Sequence, residues 1–114
     1  MTPGVQSLGV FRAISSPTRR ALLDKLSSRD QSVQRLAASF QMTVPAVSQH
    51  LAILREAGLV TARRAGRWRV YRLNAEPLRD VMAWLKAYER FFAVRLQELR
   101  EELKEIAADE PRWR

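Results

Sequence analysis

The sequence predicts a mainly α-helical chain with one small β-hairpin. Three observations support this fold class. Apolar residues recur at three- and four-residue spacing through most of the chain. Residues 59–73 instead suggest two strands around Ala65-Gly66. Two of the short helices flank a tight connection at Gln41-Met42, which is the arrangement of a helix-turn-helix. Together they predict a winged helix-turn-helix, with N- and C-terminal helices that serve dimerisation.

The first two helices are predicted from an apolar run and a capping signal. Val10 to Ile14 is a short apolar run that ends a first helix. Ser15-Ser16-Pro17 then predicts a helix start, because serine caps the free backbone N–H groups and proline is tolerated in the first turn. The apolar stripe of this second helix consists of Leu22, Leu23 and Leu26.

The next two helices form the helix-turn-helix. Gln31 or Ser32 opens the first of them, and one face then carries apolar residues at i, i+3, i+4 and i+7. Thr43 is the expected N-cap of the second, with Pro45 in its first turn, and Gly58 ends it in a left-handed conformation. The two buried stripes consist of Val33, Leu36, Ala37 and Phe40, and of Val47, Leu51 and Leu54.

A hairpin and a long helix complete the chain. Leu59–Arg64 and Arg67–Leu73 are the predicted strands, with Tyr71 and Leu73 facing inward. Trp68 is expected either to pack under the hairpin, which is favoured, or to lie against a sugar of the nucleic acid. Asn74 or Glu76 then begins a long helix whose apolar residues step by three or four; residues 97–110 either continue it or fray. The expected organisation is a single domain over 1–114, comprising an arm and helix at 1–14, the helix-turn-helix and wing at 15–74, and a dimerisation helix at 75–110.

Charge and composition narrow the functional class. The 114 residues carry a formal net charge of +8, and the excess lies in residues 1–74, where twelve Lys or Arg face only Asp24, Asp30 and Glu56. This concentration indicates a polyanionic partner. With no Cys, one His and no glycine-rich phosphate loop, we expect neither an enzyme nor a cofactor. No apolar run is long enough for a membrane span, so we expect a cytoplasmic protein without a membrane partner.

The charge pattern and the helix-turn-helix together predict double-stranded DNA as the partner. The N-terminal end of the second helix enters the major groove first, where Gln49 can bond adenine in bidentate fashion and Ala46 or Val44 can touch a thymine methyl. The wing arginines and Arg55 would contact phosphates. His50 flanks the buried stripe, so a hydrogen bond between helices is favoured over a base contact. The predicted DNA-binding residues are Thr43, Val44, Pro45, Ala46, Ser48, Gln49, His50, Arg55, Arg63, Arg64, Arg67 and Arg69.

Two-fold recognition of DNA requires two such helices about 34 Å apart, so we expect a homodimer. The final helix is the natural seam, because its apolar stripe is too large to leave in water; packing on the chain's own first helix is the alternative. The predicted interface consists of Val10, Phe11, Ile14, Leu78, Met82, Leu85, Tyr88, Phe92, Leu96 and Leu99. Two other functions stay open, a protein–protein interaction module and a non-specific nucleic-acid or nucleoid-binding protein.

The runs SSPTRRALLDKL (15–26) and VQRLAASFQMTVPAVSQHLAILREAGLVTARRAGRWRVYRL (33–73) resemble the ArsR-type winged-helix transcriptional repressors. The C-terminal aromatic pattern, with Trp84, Tyr88 and Phe91-Phe92, resembles the metal-free branch with a long final helix. The resemblance implies a homodimeric repressor or autorepressor that occupies a pseudo-palindromic operator. The positions that match the family's DNA helix are Thr43, Pro45, Ala46, Ser48, Gln49 and His50, and the matching wing runs from Arg63 to Arg69.

The chain departs from the metal-sensing members of that family. Some carry Cys near the first helix of the helix-turn-helix, where this chain has Gln34-Arg35-Leu36-Ala37. Others carry an Asp/His/His/Glu set on the last helix, where this chain has Asp80 and Glu89 but no His. Two carboxylates without an imidazole make a poor transition-metal site. We therefore expect no metal site and no metal sensing. The sequence does not identify a small-molecule effector.

Overall fold

A computed structural model of the chain describes residues 5–109. Residues 1–4 of the predicted N-terminal arm and helix (1–14) and the last residue of the predicted final helix, Glu110, lie outside this range. The elements in chain order are α1 (Val5–Ala13), α2 (Pro17–Ser28), β1 (Gln31–Ser32), α3 (Val33–Phe40), α4 (Val44–Glu56), β2 (Val60–Ala65), β3 (Trp68–Leu73), a 3₁₀ turn (Glu76–Leu78), α5 (Arg79–Lys86) and α6 (Glu89–Asp109). The mainly helical fold with a small hairpin is confirmed.

Hydroxyl side chains begin three of the helices, as the sequence predicts for two of them. Ser16 caps α2 by accepting from Arg19 N at 3.2 Å, and Thr43 caps α4 by accepting from Ala46 N at 3.2 Å. Ser32 does the same for α3. Pro17 and Pro45 stand in first turns, where a missing N–H costs no hydrogen bond. The caps fix where the helix-turn-helix begins and where α4 presents its N-terminal end.

Both helices of the helix-turn-helix end in left-handed residues. Gln41 adopts φ 53°, which lets Met42 N donate to Ala37 O at 3.0 Å. Gly58 adopts φ 78°, and Leu59 N donates to Leu54 O at 2.9 Å. These bonds satisfy carbonyls that a helix end otherwise leaves free. The prediction for Gly58 is confirmed, whereas no signal in the sequence predicts the left-handed conformation of Gln41.

The sheet has three antiparallel strands in the order β1-β3-β2, one more than predicted. Gln31 and Ser32, expected at a helix start, pair with Tyr71 and Val70. Two residues are too few to show strand alternation in a sequence, and the partner strand supplies the pairing. The helix still starts beside them, because Ser32 is both the strand end and the α3 cap. The wing is therefore fastened along one edge to the segment before α3.

The hydrophobic core lies among α1 to α4 and the sheet. It contains the predicted apolar stripes of α2, α3 and α4, together with Tyr71 of β3; Phe40 and Leu73 are partly buried against it. Val10 is fully buried in this core. Its assignment to the dimer interface is therefore wrong, because a side chain already covered within one chain has no surface left for a second. Ile14 and Leu78 are partly buried against the same core.

The long C-terminal helix is interrupted. Instead of one helix from residue 75, a 3₁₀ turn leads into α5, and α6 begins again at Glu89. At the interruption Ala87 N and Tyr88 N donate to carbonyls three residues earlier, at 3.3 and 2.9 Å, which tightens the backbone locally. Neither glycine nor proline marks this position, so the break carries no signal in the sequence. Residues 97–109 are helical, which answers the open question for that stretch.

The described residues fall into two compact units, divided between Met82 and Ala83 within α5. The first contains the winged helix-turn-helix, and the second contains α6. The predicted boundary at residues 74–75 differs from this division, and the single domain over 1–114 stays a prediction.

Candidate nucleic-acid interface

The N-terminal half of α4 presents an exposed surface of small and polar side chains. Thr43, Pro45 and Gln49 are exposed, and Val44 is 38% exposed. Ala46 and Ser48 are partly covered. The opposite side of the helix holds Val47, Leu51 and Leu54 at 0% exposure. A helix anchored by one apolar stripe thus offers its other side, without bulky side chains, for close approach to a groove.

His50 lies under this surface. Its Nδ1 is 3.4 Å from Arg19 Nη1 of α2, and the pair is partly buried. Arg19 also donates to Ala13 O at 2.6 Å and to Arg12 O at 3.1 Å, so its guanidinium joins the end of α1 to α2 and α4. The expectation that His50 bonds a neighbouring helix is confirmed. As a predicted DNA contact it is the weakest member of the set.

Strand parity divides the wing arginines between two faces of the sheet. Arg64 pairs with Arg69 and Ala62 with Tyr71, so these four residues share the face that carries the core residue Tyr71. The Arg69 guanidinium lies 5.8 Å from the Tyr71 ring centroid. A groove of about 510 Å³ lies between this face and α4, lined by Val33, Ser48, Ala52, Arg55, Glu56, Arg69 and Tyr71. Of the predicted contacts, Ser48 and Arg55 of α4 and Arg69 of the wing therefore line one groove, whereas Arg67 lies in the hairpin turn.

The opposite face holds Arg63 and Arg72, and both are paired with Asp30. Arg63 Nη1 lies 3.3 Å from Asp30 Oδ2, and Arg72 Nε lies 3.2 Å from the same oxygen. Arg63, which is predicted to act like the other wing arginines, is separated from Arg64 and Arg69 by its position on the opposite face of the sheet. Residue parity along the two strands could have indicated this division. No sequence pattern predicts that Asp30 pairs with these two arginines, because the pairing depends on where the fold places the link between α2 and β1.

Trp68 is 51% exposed, so the expectation that it packs under the hairpin is wrong. It stands at the first position of β3, opposite Ala65, and it does not belong to the hydrophobic core. Its neighbours in a shallow groove include Gln34 and Arg35 of α3. An aromatic residue in a basic hairpin is thus left accessible.

The described residues contain neither a candidate metal centre nor a helix that could span a membrane. Within residues 5–109, no three His, Cys, Asp or Glu side chains are grouped so that they could hold a metal ion. In the same range, every helix falls short of the length and apolar character that crossing a membrane requires.

Several known proteins are similar to this chain in sequence and in fold. Residues 16–62 match the model of the bacterial regulatory proteins of the arsR family. The transcriptional repressor SdpR of Bacillus subtilis is 40% identical over 76 residues, which cover 67% of this chain and 84% of SdpR. The crystal structure of an ArsR family transcriptional regulator, RHA00566, superposes with a TM-score of 0.70 at 33% identity, covering 82% of this chain and 97% of that one.

A further solved structure is that of the homodimeric winged helix-turn-helix DNA-binding domain of Mb0332 from Mycobacterium bovis, a possible ArsR-family regulator. It has a TM-score of 0.62 and 28% identity, and the match covers 75% of this chain and 82% of that domain. The winged helix-turn-helix fold is thereby confirmed. The chain belongs to the ArsR family, and it is a DNA-binding transcriptional regulator rather than an enzyme.

Proposed function

We propose that this protein is a homodimeric repressor or autorepressor that acts in the cytoplasm by occupying a pseudo-palindromic operator. The observation that carries the proposal is the shared groove between α4 and the face of the wing with Arg64 and Arg69. A helix and cations on one side of a fold can meet bases and phosphates of the same duplex at once. SdpR, a relative of 40% identity, is itself a transcriptional repressor.

The residues of the interface divide between base reading and phosphate contact. Gln49 is exposed, and its one side-chain amide can bond an adenine in bidentate fashion, with Nε2 donating and Oε1 accepting. Val44 and Ala46 provide apolar contact for thymine methyl groups, and Ser48 provides a hydroxyl. Phosphate contacts are assigned to Arg55, Arg64, Arg67 and Arg69, with Thr43 and Pro45 fitting against the backbone at the helix start.

The dimer rests on the apolar side chains of the second unit. Leu85, Tyr88, Phe92, Leu96 and Leu99 are between 39% and 57% exposed in the single chain. Exposure of so much apolar surface to water is unfavourable, and a second copy of the chain would cover this surface. The homodimeric state of Mb0332 supports the same assembly. Further contributors are proposed from the first unit, namely Phe11, Ile14, Leu78 and Met82.

We also propose that the protein does not sense a metal. The chain has no Cys and a single His, and that His contacts Arg19. Carboxylates alone bind transition metals weakly compared with sites that contain imidazole or thiolate. Operator affinity should therefore be the same with and without micromolar zinc, and a zinc-dependent change in affinity would refute this part of the proposal.

Competition binding tests the proposed function. The labelled duplex upstream of the protein's own coding region is competed with random duplex and with single strands. Specific recognition predicts that the upstream duplex competes at least about a thousandfold better than random duplex. Equal competition by all duplexes would indicate a non-specific nucleic-acid-binding protein. Failure of every nucleic acid to bind would favour a protein–protein interaction module.

A further inference from the structure

Asp30 forms ion pairs with both strands of the wing. It stands in the short link between α2 and β1, and its carboxylate contacts Arg63 of β2 and Arg72 of β3. Its side chain is 26% exposed, whereas those of Arg63 and Arg72 are 57% and 67% exposed. One acidic residue thus forms ion pairs with two of the five arginines between residues 63 and 72.

The two bonded arginines also lie on the other side of the sheet from the groove. Arg63 pairs with Val70 and Arg72 with Thr61, and both alternate with the residues that face α4. Arg64 and Arg69, by contrast, have no acidic residue among the ion pairs found in residues 5–109. The wing therefore has one face whose cations are partly neutralised and one whose cations are not.

We infer that Asp30 is a specificity-determining residue, which withholds Arg63 and Arg72 from phosphates and so suppresses binding to random DNA. This inference rests on the proposed function, in which wing arginines contact phosphates. Binding to random sequence is driven almost entirely by phosphate contacts, whereas an operator also supplies base contacts to α4. A carboxylate beside two cations therefore lowers random binding by a larger factor than operator binding.

The partial exposure of these ion pairs separates the expected effect of Asp30 on DNA binding from its effect on folding. Partly exposed pairs contribute little to folding, so neutralising Asp30 should leave the fold intact. What changes is the charge that the hairpin offers to DNA, because two guanidinium groups lose their competing carboxylate. For every phosphate that the released arginines newly neutralise, the loss of affinity between 50 and 200 mM salt grows by about a further threefold.

The experiment compares Asp30→Asn with Asp24→Asn in the full chain. Asp24 is exposed on α2, where its backbone carbonyl accepts from Ser27 Oγ at 2.6 Å, so the control removes the same charge away from the wing arginines. Affinities for the operator and for random duplex are measured at 50 and 200 mM salt. For Asp30→Asn we expect random binding to strengthen about threefold to tenfold at low salt, a steeper salt dependence, and a smaller operator-to-random ratio. Asp24→Asn should change random binding less than twofold.

A second pair of variants tests whether the effect passes through the two arginines. In the background Arg63→Gln with Arg72→Gln, Asp30→Asn should behave like Asp24→Asn, because no withheld cation remains to be released. Asp30→Glu, which keeps the charge, should behave like the unaltered protein. Far-ultraviolet circular dichroism checks that each variant is folded.

Two results would overturn the inference. One is an increase in random binding no larger than that of Asp24→Asn. The other is weaker operator binding with an unchanged salt dependence, which would make Asp30 a residue that only positions the wing. Both presuppose that the unaltered protein prefers its operator. If it binds all duplexes equally, the proposed function itself has failed, so the two failures are distinguishable.

Discussion

Arg64 and Arg69 stand directly opposite each other in the antiparallel pairing of β2 and β3. Like charges at paired positions of a sheet repel and lower stability. The cost is not offset by a carboxylate, because among residues 5–109 the wing's ion pairs are those of Arg63 and Arg72 with Asp30. A contact that weakens the fold is expected where the same charges are needed by a ligand, and in the proposed function a phosphate backbone would supply the missing counter-charge.

The substitution Arg64→Gln should separate stability from function. Removing one of two opposed charges should raise the free energy of unfolding by about 0.2 to 1 kcal/mol, and it should weaken binding to operator and random duplex by similar factors. Urea denaturation and titration with DNA measure the two effects. Arg64→Lys keeps the repulsion and serves as the control, with stability unchanged. A destabilised Arg64→Gln protein would show that the side chain has a structural partner instead.

Gln49→Ala should weaken operator binding by about 1 to 3 kcal/mol, because a bidentate contact to adenine is lost. Random duplex should bind as before, since Gln49 carries no charge. The double variant Arg67→Ala with Arg69→Ala is the contrasting case, which should weaken binding to every sequence and flatten its salt dependence. Equal losses on operator and random DNA for Gln49→Ala would remove this residue from the base-reading set.

Gln41→Gly should stabilise the fold by about 0.5 to 1 kcal/mol. Gln41 is the non-glycine residue with positive φ among residues 5–109, and a Cβ in the left-handed region is strained. Thermal unfolding of Gln41→Gly and Gln41→Ala compares removal of the Cβ with simple truncation of the side chain. If alanine stabilised the fold as much as glycine, backbone strain at this turn would not be the cause.

Phe92→Glu should produce a folded monomer that binds its operator weakly. Phe92 is 56% exposed in the single chain, so a charge there costs little within one chain but would be buried without a partner in a dimer. Val94→Glu is a matched control, because Val94 is 58% exposed and points to the other side of α6. Sedimentation velocity measures the mass of each. A Phe92→Glu dimer, or a Val94→Glu monomer, would place the seam elsewhere.

Elements with local signals could be predicted from the sequence. Ser16 and Thr43 form their caps with backbone N–H groups three residues away, and Gly58 takes its left-handed form because it has no Cβ. The apolar stripe of α4 could be predicted for the same reason, since 3.6-residue periodicity is a property of one helix. The exposed residues of the candidate site follow from this, because they are what the stripe leaves outside.

Features that depend on distant parts of the chain could not be predicted. The pairing of Gln31 with Tyr71 and the contact of Asp30 with Arg72 join residues far apart in sequence. Val10 is misassigned to a dimer interface because an apolar residue near the N-terminus has no visible partner until the core is assembled. The break before Glu89 also has no local signal, because neither glycine nor proline stands at that position.

The most direct test of two-fold operator binding is the mass of the complex formed with a duplex of the upstream region, determined by sedimentation in the presence of excess random DNA. We predict saturation at two chains per duplex, with two half-sites protected about 34 Å apart. Saturation at one chain per duplex, or continued loading along the DNA without a fixed ratio, would contradict a homodimer that holds two recognition helices on one operator.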